Sequence, residues 1–226
     1  MYSSEPVDKK EFTQKYDRAY SSLASIYDWV VKVLPVWRNW ITTAIPHILG
    51  PDVLEVSFGT GYLISQYAGK FNTFGIDYNW KLACIARKNL LIFDAQTNIQ
   101  QADVEHLPYA ARTFDTVVNT MAFTGYPDGR KALSEIHRVL KPNGRFVLVD
   151  IDYPQNQSWL GTQTTRLWAS LGDIIRDMTV LFRQTGFQFT DEEVGGFGSV
   201  HLYIATKQDL RPHDLPKCIG ANNRTY

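Results

Sequence analysis

The sequence predicts an α/β fold: a doubly wound, mostly parallel seven-stranded sheet that ends in an antiparallel β-hairpin and is preceded by N-terminal helices. Three observations predict it. Short apolar runs bounded by turn residues alternate with helix-length amphipathic stretches, the pattern of parallel strands joined by covering helices. The first run opens into a glycine-rich turn, Ser57-Phe58-Gly59-Thr60-Gly61. The last two β-like runs have no helix between them, only Gly195-Gly196-Phe197-Gly198, which is hairpin punctuation.

Taken in order, residues 8–34 show helical spacing in Phe12, Tyr16, Tyr20, Leu23, Ile26, Tyr27 and Val30. Pro35 can open a second helix with Trp37, Ile41, Ala44 and Ile48 on one face, bent at Pro46 and stopped by Gly50-Pro51. Strand signals follow at 52–56, 73–76, 98–102, 114–119 and 145–151. Helices are expected at 62–68, 79–90 and 128–140, with Lys141-Pro142-Asn143-Gly144 as a turn into the fifth strand. One long helix is expected over 166–185, closed by Gly186, and then the hairpin strands 187–194 and 199–206. The division expected is a helical cap over residues 1–50, a ligand-binding domain over 51–206 and a polar tail over 207–226.

Length and composition narrow the function. The 226 residues suit one filled core, and 23 basic against 23 acidic residues leave no net charge. Phosphate-neutralising proteins carry a basic excess, so nucleic acid is not the expected partner and a small molecule is. Two cysteines and five scattered histidines offer no metal-ligand spacing, so no metal is expected. The polar start and the interrupted apolar run 26–36 predict neither a secretory signal nor a transmembrane segment, which points to the cytoplasm and to a monomer or homodimer.

The chemistry concentrates at Val53 to Gly61. A buried strand, a turn with Gly59 and Gly61, and a helix start presenting free N–H groups make a nucleotide site. Asp77, at the tip of the next strand, can accept the two hydroxyls of a ribose. Two features lean away from a dinucleotide. Ile64 stands where the third glycine of that fingerprint belongs, and Glu55 on the first strand suits a cation better than a pyrophosphate.

The stretches Tyr20-x6-Tyr27-Asp28, VLEVSFGTG (53–61), GIDYN (75–79), QADVEHLPY (101–109), FDTVVNTMAF (114–123) and ALSEIHRVLKPNGRFVLVD (132–150) resemble, in order and spacing, a known family. It is the class I S-adenosylmethionine-dependent methyltransferases, Rossmann-like in fold, of the type found in ubiquinone and menaquinone biosynthesis. The resemblance implies S-adenosylmethionine as cofactor. It further implies that Glu55 with the backbone of Ser57, Gly59 and Gly61 holds the methionine end, that Asp77 binds the ribose, and that Tyr78 lies against the adenine. Asp103 would accept from the adenine amino group, Val104 would offer a backbone contact, Asn119 would face the methionine moiety, and Tyr27 would close over the site. Ser57 replaces the family's usual glycine, Phe58 a small residue, and Thr124-Gly125-Tyr126 the place where quinone methyltransferases carry a histidine.

Methyl transfer from a sulfonium needs alignment above all. A base is needed only where the acceptor must first lose a proton, and no His or Lys stands out for that task, so no catalytic residue is assigned. The aromatics Tyr20, Tyr27, Trp29, Phe123, Tyr126, Trp159 and Trp168 hint at an apolar or aromatic acceptor. Plainer readings stay open: Asp103 as a turn cap, Tyr27 as packing, Glu135 and Arg138 as a solvated pair, Asp150 and Asp152 as charges at a wet strand end. A non-catalytic binding protein on the same fold and a nicotinamide-dependent oxidoreductase are the rival functions.

Overall fold

A computed structural model describes residues 2–3, 8–15, 17–18, 35–92 and 97–208. Tyr27 and the expected tail beyond Gln208 lie outside the described residues. Residues 9–15 and 17–18 are helical and form α1. The other helices are α2 (Pro35–Thr42), α3 (Tyr62–Tyr67), α4 (Trp80–Ile92), α5 (Gly129–Val139), α6 (Trp159–Leu171) and α7 (Met178–Gln184). The strands are β1 (Asp52–Val56), β2 (Asn72–Asp77), β3 (Thr97–Gln101), β4 (Phe114–Thr120), β5 (Leu140–Ile151), β6 (Phe187–Gly195) and β7 (Val200–Lys207).

They form one sheet in the order β3-β2-β1-β4-β5-β7-β6, with β1 to β5 parallel and β7 antiparallel to both neighbours. The chain reverses its direction of travel across the sheet at β1, whose neighbours are β2 and β4. Ligands of open α/β sheets bind at such a point, outside the carboxyl ends of the strands. The central strands are apolar on both faces because helices cover both. Phe114, Ile136, Phe146, Phe182 and Tyr203 fill one layer, and Val53, Leu63, Ile64, Val118 and Val149 the other.

The expected helix over 166–185 is two helices. Ser158 caps α6 well before residue 166, and Gly172 (φ 116°) ends it in the left-handed conformation that favours glycine. Asp177 then starts α7 by accepting from the Val180 N–H. Apolar spacing continues through Ile174 and Ile175 because these residues fill the core as linker, not as helix. Their connection is tied down by Ile174 N–H donating to Thr124 O, and by Ser3 and Ile175 exchanging bonds. The bend expected at Pro46 is likewise a break: α2 ends at Thr42 and a short tight turn covers Ile45–His47.

Asp150 and Asp152 do not meet water. Both are buried: Asp150 accepts from the Thr124 and Ile151 N–H groups, and Asp152 from the Tyr203 hydroxyl. Glu135 and Arg138 are more than a solvated pair. The carboxylate also accepts from Leu107 N–H and the guanidinium donates to the Leu107 and Tyr109 carbonyls, which pins the β3–β4 connection.

Candidate active site

The site begins where β1 ends. Ser57 N–H donates to Ile76 O at 2.7 Å, which ties the start of the loop to β2. Ser57 (φ 57°), Gly59 (φ 57°) and Gly61 (φ 78°) are all left-handed, a costly state for the serine, and of a kind that clusters at functional sites. The two glycines serve different ends. Gly59 lies on the wall of the main cavity, whereas a Cβ on Gly61 would meet Ala86 at 3.1 Å, so Gly61 lets α3 and α4 pack closely. Phe58 turns under the loop to pack on Ala83, Ala86 and Ile99, over Gly75, where a Cβ would lie 2.8 Å from its ring. Its bulk is stored in the core, away from the main cavity wall.

That cavity, about 320 Å³, opens above β1, β2, β3 and β4. Asp77 stands in its wall, 5% exposed, with one carboxylate oxygen accepting from Gly59 N–H and the other from Asn79 N–H, both at 2.8 Å. Burial pushes its pKa up to about 6 against the pull of these bonds. Each oxygen keeps a second lone pair, so the pair can still accept from a ligand's hydroxyls. Tyr78 and Asp103 share the wall with Val104 and Leu82. Asp103 does cap its turn, accepting from Glu105 N–H at 2.8 Å, and it lines the cavity as well. Lys9, Thr13 and Asp17 of α1 complete this side, and Asn79 holds the helix by donating to Asp17 at 2.8 Å.

Toward β4 the wall is Ser57, Thr120, Met121, Gly125, Tyr126 and Asp173. The Ser57 and Tyr126 hydroxyls lie 2.7 Å apart, and the Asn119 amide donates to Tyr126 Oη at 2.8 Å and to Val56 O at 2.9 Å. Asn119 is therefore fully buried behind Tyr126, not on the cavity surface, and its Oδ1 has no hydrogen-bond partner. Burial drives the Tyr126 pKa well up, so this phenol stays protonated. Glu55 is buried too and accepts from the Tyr67 hydroxyl at 2.6 Å; burial pushes its pKa up to about 8. It faces a recess of about 30 Å³ with Trp37, Thr60 and Tyr62, which adjoins the main cavity along Ser57, Gly59 and Thr120.

Of the expected residues, Ser57, Gly59, Asp77, Tyr78, Asp103 and Val104 thus share one cavity, Glu55 lies in the adjoining recess, and Gly61 and Asn119 support the wall from behind. Tyr126, one of the aromatics expected near the acceptor, does line the cavity, whereas the sequence reading missed Leu82 and Asp173 as wall residues. Asp173 was hidden by the assumption of a continuous helix. Among the described residues no group of three His, Cys, Asp or Glu side chains could hold a metal, and no helix is long and apolar enough to cross a membrane.

A seven-stranded sheet in this order, with a glycine turn after β1 and an acid at the tip of β2, defines the class I methyltransferase-type fold. Residues 54–148 match the family model of a methyltransferase domain. The demethylmenaquinone methyltransferase of Lactobacillus johnsonii is 32% identical over 126 residues, which cover 53% of this chain and 52% of the relative. The ubiquinone/menaquinone biosynthesis C-methyltransferase of Haemophilus ducreyi is 30% identical over 159 residues, 66% of this chain and 61% of the relative. The chain thus spans about half to three fifths of the length of these curated relatives. Among solved structures, the 4+2 cyclase SpnF superposes with a TM-score of 0.72 at 16% identity, over 91% of this chain and 99% of the cyclase, a likeness of fold. Over residues 54–148 the chain is similar to the class I S-adenosylmethionine-dependent methyltransferases.

Proposed function

We propose that this chain is an S-adenosylmethionine-dependent methyltransferase acting on a small acceptor with apolar or aromatic character. The observation that carries the reading is the buried carboxylate of Asp77, open to the cavity beside the Gly59 turn. The residues fit the cofactor. Asp77 would take the ribose hydroxyls, Tyr78 and Val104 would flank the adenine, and Asp103 would accept from its amino group. The amino-acid end would run along Ser57, Gly59 and Gly61 toward Glu55, with Asn119 holding Tyr126 in place. Residues 1–50, Tyr27 among them, would act as a cap.

When bound, the cofactor supplies an electrophilic methyl group on a good neutral leaving group. The chain's own part is alignment and exclusion of water, which proximity makes the main catalytic contribution. A cationic ammonium at Glu55 would draw the carboxyl to its charged form, offsetting the burial that raises its pKa.

Calorimetric titration with S-adenosylmethionine, its demethylated product and NADH tests the reading. The two sulfur ligands are expected to bind and NADH not to. Binding of NADH alone would replace this function with an oxidoreductase. Turnover with a panel of phenols, quinones and amino-lipids then separates the enzyme from a non-catalytic binder, which would bind the cofactor and never consume it.

A further inference from the structure

The glycine turn after β1 spends most of its own donors inside the protein. Ser57 and Phe58 N–H both donate to Ile76 O, Gly59 N–H to Asp77, and Gly61 N–H to Phe58 O. A ligand oxygen arriving at this turn is therefore best met by a side-chain donor. Ser57 carries one, on a left-handed backbone (φ 57°) that glycine would adopt without strain. A strained serine beside a cavity points to a use for its hydroxyl.

That hydroxyl ends a chain whose direction is fixed from the far end. Asn119 is fully buried, and its amide nitrogen can only donate. One of its hydrogens goes to Val56 O and the other to Tyr126 Oη. Tyr126 Oη in turn lies 2.7 Å from Ser57 Oγ. Two hydroxyls hold two hydrogens and share this one contact, so one hydrogen is left over. Among the described residues neither hydroxyl meets a further acceptor, and Asn119 Oδ1, itself without a partner, does not take it. Donation running from Asn119 to Tyr126 to Ser57 strengthens each bond in turn and leaves the free O–H on Ser57. Tyr126 is 7% exposed and burial drives its pKa up, so the phenol stays a donor and is no base. Ser57 lines both the main cavity and the recess at Glu55, so the spare hydrogen lies where the two spaces adjoin.

We propose that the Ser57 hydroxyl, with Tyr126 and Asn119 behind it, is a hydrogen-bond donor site for an oxygen of the bound ligand. The proposal rests on the methyltransferase reading and deepens it. Two ligand oxygens can come to this point. One is the carboxylate of the cofactor's amino-acid end, from the recess side; the other is a carbonyl or hydroxyl oxygen of the acceptor, from the cavity side. Ser57 makes the contact. Tyr126 and Asn119 are positioning residues, which occupy a lone pair of Ser57 Oγ and keep its hydrogen turned outward.

The whole chain is first titrated with S-adenosylhomocysteine and with 5′-methylthioadenosine, which lacks the amino-acid end. Saturated with S-adenosylhomocysteine, it is then titrated with acetophenone and with ethylbenzene, which lacks the carbonyl oxygen. Ser57→Ala and Ser57→Gly both remove the hydroxyl, and the glycine also suits the left-handed backbone, which separates loss of the donor from damage to the fold. If the oxygen is the cofactor's, both variants lower S-adenosylhomocysteine affinity about tenfold and leave 5′-methylthioadenosine affinity unchanged. If it is the acceptor's, both erase a roughly fivefold preference of the wild-type chain for acetophenone. Tyr126→Phe is expected to shift the responding ratio the same way by a smaller factor, whereas lost packing alone would weaken both ligands of the pair. An unchanged ratio in the first arm, together with no acetophenone preference or one that survives both serine variants, would overturn the proposal. Failure of S-adenosylhomocysteine to bind the wild-type chain would instead bring down the methyltransferase reading on which it stands.

Discussion

Two regions of the sheet bury carboxylates, and they satisfy them in different ways. At the tip of β2, Asp77 is held among the described residues by the backbone donors Gly59 and Asn79, and it stands in the wall of a cavity. On the β5–β7–β6 side, side-chain partners are added to backbone donors such as the Ile151 and Tyr153 N–H groups. Asp152 accepts from the Tyr203 hydroxyl at 2.6 Å, and Asp191 bonds His201 Nδ1 at 2.7 Å, with the imidazole stacked on the Tyr203 ring. Burial works to lower the His201 pKa, but the bonded Asp191 and nearby Asp152 and Glu193 outweigh it and raise it. A buried acid closed off by protein donors is architecture, whereas one left open toward a cavity keeps the capacity to accept from a ligand.

The widest separation between the two regions should come from Asp77→Ala. S-adenosylhomocysteine affinity is expected to fall about 10- to 100-fold, roughly 1–3 kcal/mol for the loss of charge-assisted bonds, while the fold persists. Unchanged affinity in a folded variant would put Asp77 on the architectural side of the comparison.

Stability against pH probes the acids at the cavity edge. Glu55 is held near pKa 8 in the folded chain against an ordinary 4.5. Between those values the folded state binds more protons than the unfolded one, so stability falls as pH rises through that window. The slope is up to about 1.4 kcal/mol per pH unit for one such group. Glu55→Gln is expected to flatten the melting temperature between about pH 5 and 8. An unchanged slope would mean that this carboxyl ionises freely.

On the closed side, Tyr203→Phe removes the hydroxyl that donates to Asp152. The expected cost is about 1 kcal/mol of stability in urea unfolding, with cofactor affinity untouched. A loss of affinity there would erase the distinction between the regions. Smallest of all, Ser57→Gly relieves a left-handed serine but gives up the bond to Tyr126. The two effects oppose, and the net change should stay within about 1 kcal/mol.

Much of the fold was legible because strand patterns such as VLEV, FDTVVN and RFVLVDI report burial on both faces directly. The break between α6 and α7 was not, because the apolar spacing of Ile174 and Ile175 carries on through a linker that is itself core, and Gly172 was the only punctuation. In the site, Gly59, Asp77 and Asp103 could be read from their place at strand ends. The Asn119–Tyr126–Ser57 chain could not, since it joins residues from separate loops through hydroxyl and amide contacts that leave no periodic trace. The direction of Phe58 was hidden for a similar reason: its ring fills the gap above Gly75, a contact that the sequence does not print.

The most direct measurement is a crystal structure of the chain with S-adenosylhomocysteine. It should show both ribose hydroxyls within about 2.6–3.2 Å of the Asp77 carboxylate, with the adenine against Val104 and Tyr78. Ligand density elsewhere on the molecule, or a ribose out of reach of Asp77, would contradict the account.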